Sequence, residues 1–70
     1  MNYEKKFVNA EYGLEAIVSD RNPLYHSQHP YQVVLRDYEA DATFDTRYGP
    51  LAYCLRQAYE FVNGQRYPLS

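Results

Sequence analysis

Acidic side chains at regular spacing are the most distinctive chemical feature of this chain. Four of them lie in one short segment, at Asp37, Glu39, Asp41 and Asp45. Because successive side chains of a β-strand point to opposite faces, a strand through this segment would carry all four carboxylates on one face. Glu11 and Glu15 would join that face from a neighbouring strand. Such a row of carboxylates can pair with a basic surface or coordinate Mg²⁺.

The Mg²⁺ interpretation describes a metal-dependent nuclease and is the weaker of the two. A nuclease must also hold substrate phosphates, yet the seven Lys and Arg residues are scattered, and only Lys5 and Lys6 are adjacent. His26 and His29 form an H-x-x-H pair, but a zinc site needs a third and usually a fourth ligand. Cys54 lacks an evident histidine partner and is predicted to be a buried helix residue. The sequence therefore predicts no enzyme, no metal and no cofactor.

The composition favours binding to a protein over direct binding to nucleic acid. Seventy residues allow a single domain, residues 1–70, and a net charge of −2 does not suit a surface that neutralises phosphates. Nine tyrosines supply rigid contact area of the kind enriched at interfaces, although they can also fill a small core and its rim. One cysteine and the lack of a long apolar run predict a cytoplasmic protein without a membrane segment.

Hydrophobic alternation predicts a sheet in the first two thirds of the chain. In residues 8–18 the even positions are mostly apolar, and a turn, a bulge or a strong bend is expected near Gly13. Residues 19–30 contain two prolines and are typical of a long loop. A second strand is predicted from Tyr31. In residues 34–44 the even positions are again mostly apolar, so the core is expected on the even side.

A C-terminal helix is predicted from Tyr48 to Val62, where apolar residues recur at three- and four-residue spacing. Pro50 suits its first turn and Gly64 its end, and residues 65–70 could add an edge strand. The side of the helix predicted to be solvated carries Arg56, Gln57 and Glu60. The predicted fold is α+β: a two- or three-stranded antiparallel sheet with one C-terminal helix packed on one face.

With the helix on the even face, the acidic row would remain exposed on the odd face. Tyrosines of the long loop and its end would lie in reach of the same partner. The predicted partner-binding residues are Asp37, Glu39, Asp41, Asp45, Glu11, Glu15, Tyr25 and Tyr31.

In size, acidic character, tyrosine content and lack of a catalytic motif, the whole chain resembles the small inhibitor proteins that bacteriophages make against host defence, among them anti-CRISPR proteins. The resemblance is one of profile and transfers no individual residues. It implies a non-enzymatic inhibitor that acts in the host cytoplasm on a nucleic-acid-binding effector complex. There a row of carboxylates would stand in for the phosphates of a nucleic-acid strand.

Two other functions remain open on the residues alone. One is a small structural or adaptor protein that forms a homodimer or larger homo-oligomer, in which exposed tyrosines and an edge strand complete a core that is too small by itself. The other is the metal-dependent nuclease described above.

Overall fold

One antiparallel sheet with a helix on one face makes up the described part of the protein. The computed structural model describes residues 3–21 and 29–64. Its elements in chain order are β1 (Glu4–Asn9), β2 (Leu14–Asp20), β3 (Tyr31–Asp37), β4 (Ala42–Gly49) and α1 (Leu51–Val62). Each strand pairs with the next, in the order β1-β2-β3-β4. The α+β class is confirmed, but the described residues contain four strands rather than two or three, because a turn divides each predicted strand segment.

The first predicted strand segment divides at residues 10–13. Gly13 has φ +70°, in the left-handed region that glycine enters without steric strain. Beyond the turn the predicted alternation is confirmed by three buried residues, Leu14, Ala16 and Val18. The expected break near Gly13 is therefore a tight turn that reverses the chain, and β2 pairs antiparallel with β1.

The second predicted strand segment divides at residues 38–41, and here the predicted core side was wrong. Val33 and Leu35 are fully buried, so the core lies on the odd side of β3. The apolar run at the start of this strand is continuous and does not specify a face. Pairing specifies it instead, because Val33 lies opposite the buried Val18 of β2. The predicted edge strand in residues 65–70, and most of the predicted 19–30 loop, fall outside the described residues.

Helix α1 packs its buried side on the core residues of β2 and β3. Gly64, with φ +72°, lies just beyond the end of the helix, as the sequence predicts. Pro50, which was predicted in the first turn, stands instead at the N-cap, one residue before the helix. Tyr48, which was predicted to belong to the helix, ends up in β4 because the chain stays extended up to Pro50. Cys54 is buried as predicted; burial raises the pKa of its thiol, which donates to the Gly49 carbonyl at 3.8 Å.

Gln57 is the exception on the helix side that was predicted to be solvated. Its side chain is buried, and its Oε1 accepts a hydrogen bond from Nη1 of Arg47 at 2.5 Å. The neighbouring Arg56 is exposed and binds Glu60 one turn later, with Nε and Oε2 3.3 Å apart. One polar residue of the helix therefore becomes part of the contact with the sheet.

The sheet surface opposite the helix has no second layer among the described residues, and we call it the open face. Strand register aligns its side chains in rows across the strands. The middle row contains Lys6, Ile17, Val34 and Thr46, and the row nearer the turns contains Val8, Glu15, Arg36 and Thr43. This face is the surface on which the sequence predicted the acidic row.

Candidate protein-binding surface

The two hairpin turns lie side by side at one end of the sheet. The β1–β2 turn comprises residues 10–13 and the β3–β4 turn residues 38–41. The N–H of Tyr38 donates to the carbonyl of Gly13 at 2.8 Å, which ties one turn to the other. A Cβ added to Gly13 would lie 3.6 Å from Oε1 of Glu39. Side chains from both turns therefore belong to one surface.

Both turns have the same internal construction. Oδ1 of Asn9 accepts the N–H groups of Glu11 and Tyr12, at 3.1 and 3.3 Å. In the second turn, Oδ1 of Asp37 accepts the N–H groups of residues 39 and 40, at 2.9 and 2.8 Å. Side-chain bonds of this kind hold a turn without help from its neighbours.

The last residue of each turn is left-handed, Gly13 at φ +70° and Asp41 at φ +55°. Aspartate is among the residues that tolerate this conformation best. The two turns thus share a sequence pattern that the strand interpretation missed: Asn or Asp, then Glu two residues later, then Gly or Asp after two more. This repeated turn pattern is the sequence signal that would have placed Glu11 and Glu39 in turns rather than in strands.

Exposed carboxylates and tyrosines dominate this end of the molecule. Tyr12 and Tyr38 are 52% and 48% exposed. Glu11 and Glu39 are also exposed, and within residues 3–21 and 29–64 neither forms an ion pair with a Lys or Arg. We call this the turn surface, and it consists of Glu11, Tyr12, Tyr38, Glu39 and Asp41.

The C-terminal end of α1 adds to the negative character of the turn surface. Nδ2 of Asn9 donates to the carbonyl of Val62 at 2.8 Å, so the helix ends beside the first turn. The last turn of the helix contains no basic residue, and the carbonyl end of a helix carries a partial negative charge. Tyr12 packs on the chain just past the helix, where a Cβ at Gly64 would lie 3.4 Å from its ring.

The predicted acidic row on one strand face is wrong. Asp37 ends β3, and its Oδ1 accepts hydrogen bonds from two N–H groups of the turn. Glu39 and Asp41 belong to the turn itself. Glu15 does lie on the open face, as predicted, but it is buried between two basic side chains. Its carboxylate oxygens lie 3.4 Å from Nζ of Lys6 and 3.4 Å from Nη1 of Arg36. Arg36 also pairs with Asp41, so the open face carries a compensated cluster.

Asp45 lies in the middle of β4, away from the turn surface. Its Oδ2 accepts from Nε of Arg47 at 3.0 Å, and its Oδ1 accepts from the N–H of Thr46 at 2.9 Å. The hydrogen bond from Arg47 is the main reason that the pKa of this carboxyl lies below its ordinary value. The charge of Asp45 is therefore already paired within its own strand.

Tyr31, which was predicted to bind the partner, lies away from the turn surface. Tyr31 is partly buried against the core and makes an edge-to-face contact with Tyr3, with ring centroids 5.8 Å apart. It opens β3 at the opposite end of the sheet from the turns. Tyr25 falls outside the described residues.

Metal coordination finds no support in the part of the chain that the structure describes. No group of three or more His, Cys, Asp or Glu side chains there could hold an ion. His29 is exposed, and its backbone carbonyl accepts from Nη1 of Arg21 at 3.3 Å. His26 lies outside the described residues.

No family model, curated protein or solved structure matches this chain. Within the described residues, the one helix has 12 residues and is too short to cross a membrane.

Proposed function

We propose that this protein is a non-enzymatic inhibitor that docks its turn surface on the basic, nucleic-acid-binding surface of a larger protein. The observation that supports this function best is the pair of matching turns, which hold two exposed glutamates beside two exposed tyrosines. Among the described residues, neither glutamate forms an ion pair. The site proposed from the sequence is thereby moved from a strand face to the turns. Its chemistry, carboxylates beside tyrosines, is retained.

Charge is distributed unevenly along the sheet, which supports an oriented approach to a basic partner. The turn end carries Glu11, Glu39 and Asp41, with Arg36 as the basic residue closest in sequence. The other basic residues of the sheet lie farther from the turns than Arg36. Lys6 is in the middle row, and Lys5, Arg21 and Arg47 lie beyond it, where Glu4 and Asp20 accompany them. A molecule polarised in this way meets a basic groove with its turns first, and complementary charge accelerates such encounters.

Tyrosine and carboxylate have different roles in this proposal. Glu11 and Glu39 give orientation by pairing with Lys or Arg of the partner, and they lose little solvation until the complex closes. Tyr12 and Tyr38 supply contact area, and their rings can stack on guanidinium groups. The molecule itself contains this contact, since the Arg21 guanidinium lies 4.1 Å from the centroid of the Tyr48 ring.

The turns are also suited to binding because they need little ordering. The Asn9 and Asp37 side chains fix the turn backbones before any partner arrives. Binding then avoids much of the entropy that a flexible loop would lose, which is the general advantage of a preorganised surface. The proposed target class, a nucleic-acid-binding complex of host defence in the cytoplasm, rests on the resemblance in overall profile to phage inhibitor proteins.

Capture of partners from a bacterial lysate with matched charge variants tests this function. The bait proteins are wild type, Glu39→Lys and Glu11→Lys, with Glu4→Lys as the control. Glu4 is an exposed carboxylate in β1, and its reversal changes the net charge by the same amount at the other end of the sheet. Mass spectrometry identifies what each bait retains at low and at high salt.

The proposal predicts a nucleic-acid-binding protein that wild type and Glu4→Lys retain, and that both turn variants lose. Each turn reversal should weaken the complex about tenfold or more, and nucleic acid should compete for the same surface. Equal retention by Glu39→Lys and Glu4→Lys would contradict the turn surface as the site. Retention of proteins without any nucleic-acid-binding surface would contradict the target class.

A further inference from the structure

Within residues 3–21 and 29–64, no further strand pairs with either edge of the sheet, β1 or β4. The hydrogen bonds there show which backbone groups each edge exposes. Arg21 N–H donates to the Pro30 carbonyl, and Tyr38 N–H donates to the Gly13 carbonyl. Bonds between antiparallel strands alternate in direction along each strand. The even residues of β3 therefore bond to β2 and the odd residues to β4. In β4 the partners of those odd residues are Asp45 and Arg47, so the N–H and C=O groups of Thr46 and Tyr48 point outward.

Two outward-facing positions of β1 carry charged side chains, whereas the corresponding positions of β4 are uncharged. The same alternation, fixed by the bond from Asp20 N–H to the Tyr3 carbonyl, leaves Glu4 and Lys6 with outward backbone groups on β1. Charged side chains, and Lys above all, are a common device against strand addition at an edge. The corresponding residues of β4 are Thr46 and Tyr48, and β4 contains neither Lys nor Pro.

The sequence of β4 is complementary to itself in one antiparallel register. When two copies of β4 are aligned with Thr46 opposite Thr46, Asp45 of each copy faces Arg47 of the other. Threonine pairs and opposite-charge pairs are both favourable neighbours across strands. Because the backbone groups of Thr46 point outward, the central pair can exchange two N–H···O bonds.

We propose that the β4 edge is a homodimer site, at which two copies pair antiparallel about Thr46. Four strands from each copy then form one continuous sheet. The two-fold axis reverses the strand direction, so the two turn surfaces point to opposite ends of the dimer and both stay accessible. This interface is independent of the proposed function and shares no residue with the turn surface.

Asp45 determines how strongly the two copies associate. In the single chain its carboxylate caps the outward N–H of Thr46 and binds Arg47 of its own strand. In the dimer the Thr46 N–H donates to the second copy, and Asp45 pairs with Arg47 of that copy. Dimer formation therefore exchanges these bonds for equivalent ones, and the association is reversible and dependent on concentration.

Sedimentation velocity on complementary charge variants tests the pairing, over about 10 µM to about 1 mM protein. Asp45→Arg places arginine opposite arginine, and Arg47→Asp places aspartate opposite aspartate. Each variant alone should raise the dissociation constant of the dimer about tenfold or more, because two favourable charge pairs become repulsive. An equimolar mixture of the two variants restores opposite charges at every pair and should associate like wild type.

Further variants separate this edge from the rest of the molecule. Thr46→Pro removes the outward N–H of β4 and should abolish the dimer, since an edge strand accepts proline where its N–H faces solvent. Lys6→Pro removes an outward N–H of β1 and should leave the dimer intact, as should Glu39→Lys on the turn surface. Circular dichroism melts confirm that each variant is folded. A monomeric wild type up to about 1 mM, or a mixture that stays monomeric, would overturn the proposal.

Discussion

Carboxylates occur in two environments of this small molecule, and they are treated in opposite ways. On the open face, Glu15 has a side chain only 8% exposed, and Lys6 and Arg36 contact it from the flanking strands. On the turn surface, Glu11 and Glu39 project from matching turns into solvent. Glutamate on the open face forms ion pairs within the sheet, whereas glutamate on the turn surface is exposed to solvent. The difference depends on whether strand register brings a basic side chain alongside.

Among the variants that distinguish these two environments, the removal of Arg36 should lower stability most. Arg36→Ala leaves the shielded Glu15 with Lys6 alone and leaves Asp41 without its partner. We expect a loss of about 2 kcal/mol in the free energy of unfolding, because a shielded charge loses a charged hydrogen-bond partner. Urea denaturation measures it. Arg56→Ala, which removes an exposed pair on the helix, should change stability by less than about 0.5 kcal/mol.

Neutralising a glutamate should lower stability on the open face but not on the turn surface. Glu15→Gln should lower stability by about 1 kcal/mol, since its two ion pairs become weaker polar contacts. Glu39→Gln should leave stability within about 0.5 kcal/mol, because its side chain has no comparable partner within the described residues. Thermal melts of both variants, compared with wild type, give the order. Equal losses would mean that the turn glutamate is also structural.

The left-handed turn residues offer a comparison between the two turns themselves. Gly13→Ala should lower stability by about 1 kcal/mol, because alanine is strained at φ +70° although the nearest atom, Glu39 Oε1, is 3.6 Å away. Asp41→Gly removes strain but also removes the pair with Arg36, so the two effects offset each other. Denaturation curves should therefore show a clear shift for the first variant and little for the second.

The smallest expected effect concerns the carboxylate of β4. Its pKa is lowered mainly by the hydrogen bond from Arg47, so its stabilising contribution is present above the ordinary pKa of an aspartate. That contribution is lost as the pH falls through the lowered value. An NMR titration of Asp45 should show a midpoint below the ordinary one in wild type and a midpoint closer to it in Arg47→Ala. The same midpoint in both proteins would mean that Arg47 does not hold the carboxylate.

Periodicity predicts those parts of the fold in which one face is apolar and the other is not. The helix from Leu51 to Val62 and the buried face of β2 follow directly from this pattern. It gives the wrong face for β3, because Val33, Val34 and Leu35 are all apolar and only pairing with β2 selects among them. Such continuous runs need the tertiary context to be assigned.

The candidate site was predicted by residue type but not by geometry. An alternating acidic run through Asp37, Glu39 and Asp41 is compatible with a strand, and the left-handed residue that ends the turn is an aspartate rather than the more telling glycine. The first turn has that glycine, and the parallel between the two turns is visible in the sequence once Asn9 and Asp37 are aligned. Burial of Glu15 could not be predicted, because it depends on cross-strand contacts with Lys6 and Arg36.

The measurement that tests the central claim most directly is an NMR titration of the ¹⁵N-labelled protein with an arginine-rich peptide, a probe for a basic protein surface. We predict that amide shifts change at residues 10–13 and 38–41, that they diminish at high salt, and that Glu39→Lys reduces them while Glu4→Lys does not. Changes centred on the open face around Lys6 and Glu15, or the same response in both variants, would contradict the turn surface as the binding site.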